Sequence, residues 1–437
     1  MNNNNVATAT MAGGAFTGAG TTPVPVKAVA AAVAGNALEF YDFIVYSFFA
    51  VYIGKTFFPL GSETASLLAS VAVFGVGFFT RPLGGVLIGA FADKAGRRAA
   101  MILTVSLITV GTLGLAATPS YASIGIAAPI IVLVCRLLQG LALGGEVGPA
   151  SSMLIEAAPN GKRGIYASWQ FASQGIAVVV GGLMGVLVSW SLSPEDLAAW
   201  GWRVPFLLSL ALIPIALYIR RSLPETLEKP SDKSGTEIVT SVVRQQARYL
   251  TLGILVMLGT TVSTQVGNYM TTYAIQTLKL SPTLAQAATV LGGTATFVFA
   301  LISGYLADKY GRKHVMIWPR VLLLLAIVPL FTWLSDSKDA SVLLLVTATI
   351  TALTSMTGAA SLIAIPEMMP IALRATAVSL IYAVGATLFG GTTQFIITWL
   401  IGVFGAVAPA WYVVGTSIIS LVAMAMLPET RHYDVRR

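Results

Sequence analysis

Charge is scarce in this 437-residue chain: Asp, Glu, Lys and Arg together make up 10% of it, against about 25% in an average soluble protein. Too few charges are available to cover the surface of a soluble domain of this size. An ordinary soluble enzyme, a disordered chain and a coiled coil are therefore excluded. Cysteine occurs once, as Cys135, so no internal disulfide can form and a secreted disulfide scaffold is excluded. The two histidines, His314 and His432, lie far apart and without metal-ligand spacing. No nucleophile–base constellation is visible either, so no metal, cofactor or enzyme activity is expected. Residues 1–27 carry no basic cluster ahead of an apolar core and read as a disordered tail, not a cleaved signal peptide.

What the chain has instead is apolar sequence, 56% of its residues. It is arranged in runs of about 20 residues, long enough to cross roughly 30 Å of hydrocarbon as helices. Twelve such runs fall near 28–53, 64–91, 99–117, 126–155, 165–190 and 202–220, then 249–274, 284–307, 315–334, 341–366, 375–401 and 407–427. The most polar internal stretch, 221–248, separates them into two sets of six. The expected organisation is a tail (1–27), a six-helix unit (28–220), a linker (221–248), a second six-helix unit (249–427) and a C-terminal tail (428–437). An even number of spans puts both ends on one side. Loops on that side hold most of the loop arginines and lysines, among them Lys94, Arg97, Arg98, Arg163, Arg221, Lys309 and Arg312. This bias predicts that both termini are cytoplasmic. The net charge of +8 thus reports orientation in a lipid bilayer, and nucleic acid is not an expected partner.

The two halves repeat. Gly89, Asp93, Lys94, Gly96, Arg97 and Arg98 follow the second span as Gly304, Asp308, Lys309, Gly311, Arg312 and Lys313 follow the eighth. Glu156, Pro159 and Arg163 match Glu367, Pro370 and Arg374, and Pro224-Glu225-Thr226 matches Pro428-Glu429-Thr430. The offsets are 215, 211 and 204 residues, in one order along the chain. Each half is one copy of a duplicated six-helix unit. The GxxxDKxGR[RK] pattern resembles the signature loop of the major facilitator superfamily. That resemblance implies an all-α integral membrane protein: twelve transmembrane helices in two six-helix bundles related by pseudo-twofold symmetry, with substrate held near the bilayer midplane.

A charge at the bilayer centre costs at least about 2.5–3.5 kcal/mol, so each one needs a reason. The sequence places Glu39 and Asp42 in span one and Arg136 and Glu146 in span four, and no comparable charge in the second half. Asn36, Glu39, Asp42 and Tyr46 are spaced as one helical stripe, and Arg136 shares a face with Gln139. Gly140 and Gly144 offer a small surface on which span one is expected to approach span four and bring Asp42 to Arg136. Such a pair can be a static ion pair that fixes helix register. It can also be a coupling device, in which substrate takes the arginine and the deserted carboxylate takes a proton. Glu39, one turn from Asp42, could supply a second titrating group. Gln170 and Gln174 in span five, Gln265, Asn268 and Tyr269 in span seven, and Tyr382 and Gln394 in span eleven complete a set of polar groups suited to an oxygen-rich anion. The same amides can simply join helices.

Gly35-Asn36-x-x-Glu39-x-x-Asp42-Phe43, Arg81-Pro82-Leu83-Gly84-Gly85, Arg136-Leu-Leu-Gln139-Gly140 and Gly144-Gly145-Glu146 resemble the metabolite:proton symporter family within that superfamily. Ala167-Ser-Trp169-Gln170-Phe-Ala-Ser173-Gln174 and Ser379-Leu-Ile-Tyr382 look like its citrate/tricarballylate branch. The resemblance implies proton-coupled uptake of a di- or tricarboxylate by alternating access across the inner membrane, by a monomer. An inside-negative membrane opposes an entering anion by about 2.3 kcal/mol per charge per 100 mV, which co-transported protons offset. Arg136, Asn36, Tyr46, Gln139, Gln170, Gln174, Gln265, Asn268, Tyr269, Tyr382 and Gln394 are the expected substrate contacts. Gly89, Asp93, Arg97, Arg98, Glu146, Glu156, Arg163, Asp308, Arg312, Glu367 and Arg374 are expected to form a cytoplasmic gate. The alternatives are a carrier of another organic acid or a zwitterion (2-oxoglutarate, shikimate, betaine or proline) and a non-transporting sensor on the same scaffold.

Overall fold

A computed structural model describes residues 26–95, 97–144, 154–155, 158–159, 161–210 and 235–431. Ten of the twelve apolar runs coincide with a described helix or bent helix pair; span four is described as helix over Ala127–Leu143, and span six is helical from 204 as far as its described part extends, to 210. Spans three and four are the helices Arg97–Ala117 and Ala127–Leu143, and span five is Arg163–Ser191. Spans eight to ten are Pro282–Tyr310, Arg312–Ser337 and Ala340–Glu367, and span twelve is Ala408–Met426. Local sequence marks several starts. Ser62, Ser281 and Asp339 each accept a hydrogen bond from the first turn of the helix they precede, which satisfies amides that have no intrahelical partner.

Four spans depart from straight helices. Span one is Val26–Phe48 followed by Ala50–Phe57, bent by 63°. The bend frees the carbonyls of Ser47 and Phe48, and the other half of the protein caps them: Thr272 Oγ1 donates to Ser47 O (3.3 Å) and Gln286 Nε2 to Phe48 O (3.4 Å). Span two is Glu63–Phe79 and Arg81–Ala95. Span seven begins earlier than its apolar run, since the chain is helical over Gly235–Gln276 with non-helical backbone at Gln246. The C-terminal part of the expected linker is thus helix leading into the membrane. Span eleven, Ile371–Gly385 and Gly391–Phe404, carries a π-helical turn at Ala386–Gly390, where Thr387 Oγ1 donates to Phe78 O of span two (3.0 Å).

Among the helix pairs that join the halves, five with eight and two with eleven pack closely. Span five runs antiparallel to span eight, and at its first turn Gly164 N and Ile165 N donate to Asp308 (2.8 and 3.1 Å). Spans two and eleven meet where a Cβ on Gly75 would lie 2.1 Å from the Gly391 carbonyl oxygen, an approach open only to glycine. The glycines of span four serve a different partner from the one expected. A Cβ at Gly140 would fall 2.0 Å from Gly77 O, and one at Gly144 would fall 1.8 Å from Arg81 O. That face seats span two, not span one.

Candidate functional site

Asp42 is buried inside the first bundle, and three neutral donors from three helices close around its carboxylate. Thr112 Oγ1 (span three) and Ser209 Oγ (span six) donate to Oδ1 at 2.6 and 2.9 Å, and Gln139 Nε2 (span four) donates to Oδ2 at 2.8 Å. Among the described residues no salt bridge joins Asp42 to Arg136. The expected direct ion pair is replaced by a relay. Arg136 Nη1 donates to Gln139 Oε1 (2.7 Å), and the other end of the same amide donates to Asp42 and to Thr112 Oγ1 (2.9 Å). Because span four rests on span two, its arginine reaches the acid only through the glutamine one turn on.

The stripe on span one also divides. Six residues turn an α-helix through about 600°, which puts Asn36 and Asp42 about 120° apart. Asn36 accordingly faces span five, where its Nδ2 donates to Ser173 Oγ (2.6 Å) and Gln170 Nε2 donates to its Oδ1 (3.0 Å). Tyr46 donates to Ser70 O of span two (3.2 Å). Glu39 is half-buried, and its charge acts on Arg81.

Arg136 is 0% exposed, and its guanidinium lies over the rings of Phe43, Tyr46 and Phe74 at 4.6, 4.6 and 5.2 Å. Beyond that aromatic wall, between the bundles, is a cavity of about 70 Å³. Of the expected substrate contacts, Gln174, Gln265, Asn268 and Tyr382 line it. Arg136, Asn36, Tyr46, Gln139, Gln170, Tyr269 and Gln394 do not line it and are engaged in helix–helix bonding or in the relay. Tyr269, for instance, accepts from Thr398 (2.8 Å), and Gln394 donates to Ser47 Oγ (2.6 Å) and to Gln265 Oε1 (3.3 Å).

Two arginines were missed as intramembrane charges. Arg81, 7% exposed, lines the cavity against the rings of Phe43 and Phe78, at 4.4 and 4.2 Å from their centroids. It lies inside an apolar stretch running from Glu63 to Ile88, so counting along the span would have exposed it. Arg320 in span nine is 0% exposed and donates to Gly259 O (3.0 Å), Ser263 Oγ (2.7 Å) and Thr260 Oγ1 (3.2 Å). The second half therefore does hold a buried charge, contrary to the expected asymmetry. Thr260 and Thr264 also line the cavity, and with Asn268 they extend the polar stripe of span seven at four-residue spacing.

At the signature-loop end, Glu367 receives Arg312 through Nε and Nη2, both at 2.9 Å, and Thr430 Oγ1 at 2.7 Å, while Arg163 Nη1 stands 3.9 Å away. Arg312 Nη1 also approaches Asp308 (3.3 Å). Arg374 donates to the carbonyls of Pro366 and Met369 and so ties off the end of span ten. Gly311, at φ +102°, lets the chain turn under Glu429, whose carboxylate accepts Arg312 N and Lys313 N at 2.8 and 3.0 Å. Gly89 is in a described helix, whereas the side chains of Asp93, Arg97 and Arg98, and Glu146 and Glu156 as a whole, lie outside the described residues. At the opposite end Glu63 of the first half binds Lys55 (2.8 Å) and, across the halves, Lys279 (3.5 Å) and Gln276 (3.2 Å).

The chain is 36% identical over 405 residues to the citrate-proton symporter of Salmonella typhi, with 92% of this chain and 93% of the relative covered. It belongs to the major facilitator superfamily. Within that superfamily it falls in the metabolite:proton symporter family, with the citrate-proton symporter branch. Residues 27–228 match the family model "Sugar (and other) transporter", and residues 252–437 match "Major Facilitator Superfamily". The alpha-ketoglutarate permease of Escherichia coli (strain K12) is 33% identical, with 92% of this chain and 93% of the relative covered. The crystal structure of a D-xylose-proton symporter superposes with a TM-score of 0.78 at 18% identity, covering 94% of this chain and 99% of the other. That likeness places the fold: two six-helix bundles around a central cavity.

Proposed function

We propose that the protein is a secondary active transporter that carries a di- or tricarboxylate, with citrate or tricarballylate preferred, into the cell together with protons by alternating access. The observation that carries the coupling is the surroundings of Asp42. An ion in low dielectric is costly unless paired, yet this carboxylate is held by two hydroxyls and one amide and reaches its cation only through Gln139. Such a site exchanges a proton when the relay is disturbed. Glu39 is the second candidate carrier of a proton. Gln174, Gln265, Asn268 and Tyr382, facing one cavity from both bundles, suit the oxygens of a carboxylate cargo.

Asp308, Arg312, Glu367 and Arg163 would form the latch that holds the signature-loop ends together when the cavity opens to the other side. That end is cytoplasmic in this reading, the protein is a monomer of the inner membrane, and the lipid bilayer is its solvent. The similarity to a citrate-proton symporter and to an alpha-ketoglutarate permease supports a carboxylate cargo. The test is uptake of labelled citrate, tricarballylate, 2-oxoglutarate and betaine into proteoliposomes with and without an imposed pH gradient. Gradient-driven accumulation of a tricarboxylate is expected. Transport of betaine without any carboxylate would overturn the substrate class, and gradient-independent uptake would overturn the coupling.

A further inference from the structure

The cavity has a cation that the reading above does not use. Arg81 opens the second segment of span two, is nine-tenths buried and lines the cavity. Its guanidinium rests against the rings of Phe43 and Phe78, which meet each other edge-on with centroids 4.7 Å apart, so the two rings cover the same side of it. Among the described residues, the half-buried Glu39 acts on it through its charge without forming a salt bridge, and the Nε of Arg81 has no hydrogen-bond partner. The hydroxyl of Tyr382, on span eleven of the other bundle, is its polar neighbour across the cavity. Arg136, by contrast, sits behind Phe43, Tyr46 and Phe74 and is engaged to Gln139. A buried guanidinium on a cavity wall with an Nε donor to spare is suited to receive an anion.

We propose that Arg81 is the residue that binds a substrate carboxylate in the central cavity, with Tyr382 joining the same carboxylate from the opposite bundle, while Arg136 stays in the Asp42 relay. This rests on the carboxylate-carrier reading. It makes the anion a bridge between the halves, since one ligand oxygen pair would be shared by a residue of each.

The test is equilibrium binding of tricarballylate, glutarate and butyrate (three, two and one carboxylates) to the purified full-length protein, in the wild type and in Arg81→Gln, Arg81→Lys and Tyr382→Phe. Wild-type protein should prefer the polycarboxylates. Arg81→Gln should weaken tricarballylate and glutarate by about tenfold to a hundredfold, the range of one charge-assisted hydrogen bond, and flatten the preference over butyrate. Arg81→Lys keeps the charge but not the fork and should lie between. If Arg81→Gln does not fold, judged by its melting curve, the Lys variant and Tyr382→Phe carry the same comparison. A role confined to helix packing would lower the melting temperature and leave the ratio between acids unchanged. A ratio unchanged within twofold in a wild type that binds these acids overturns the assignment alone. A wild type that binds none of them overturns the carboxylate reading together with it.

Discussion

Replacing Gln139 by leucine cuts the connection between Arg136 and Asp42 while preserving both charges. The side chain makes three bonds: it accepts from Arg136 (2.7 Å), donates to Asp42 (2.8 Å) and donates to Thr112 (2.9 Å). The first two are charge-assisted and worth about 1.5–3 kcal/mol each, and the third is worth about 1 kcal/mol. Leucine fills a similar volume, so no large cavity opens, but Arg136 loses the polar partner of its Nη1, and its Nε and Nη2 already have none. The expected cost is about 4–7 kcal/mol if the bonds add, and less where water enters to replace them. Two measurements separate stability from coupling. Melting of Gln139→Leu in detergent should fall clearly below that of the wild type. In proteoliposomes the variant should retain exchange of labelled for unlabelled substrate, which needs no net proton movement, while losing most gradient-driven accumulation. Asp42→Asn should behave in the same way. A Gln139→Leu protein that accumulates substrate to the wild-type ratio would refute the relay.

Other consequences follow from contacts elsewhere. Gly140→Ala should destabilise by about 1–3 kcal/mol or more, because the new methyl meets Gly77 O at 2.0 Å. Gly415→Ala, in a helix with nothing within 4 Å, should stabilise by about 0.5–1 kcal/mol, and paired thermal melts decide both. Burial alone would raise the acid range of Glu429, but backbone amides of Arg312, Lys313 and Arg431 outweigh it and hold the carboxyl below its ordinary value of 4.5. Its contribution is therefore complete above that value and fades as pH falls through the lower folded one. Melting of Glu429→Gln followed from neutral pH to acid should converge on the wild type at the acid end. The Glu63–Lys279 bridge is more than half exposed on both sides, so a double-mutant cycle on stability should give at most about 1 kcal/mol of coupling, reduced by salt.

Twelve spans, the duplication and the buried acid on span one are legible in sequence because hydropathy and charge are properties of a single helix. Gln139 was readable as well, as the amide one turn from Arg136. Its bridging role was not, because that depends on which helix lies against span four. The glycines at 140 and 144 state that something packs closely there, and the pattern does not say that the neighbour is span two. Arg81 is hidden by its own motif: within Arg81-Pro82-Leu83-Gly84-Gly85 it reads as part of a fingerprint and not as a charge inside an apolar run. The break in span one has no proline or glycine at Ser47, Phe48 or Phe49 to announce it. Its cause is tertiary, since the carbonyls it frees are capped from more than 220 residues away.

That break has a mechanical corollary. The carbonyl of Ser47 lies five residues, or about 7.5 Å of helical rise, beyond Asp42, and the donors that cover it and its neighbour Phe48 belong entirely to the opposing bundle. Backbone acceptors in an apolar interior do not stay bare. Any parting of the bundles on that side therefore obliges water to follow into the gap, and it is drawn to within two helical turns of the acid by the act of unsealing itself.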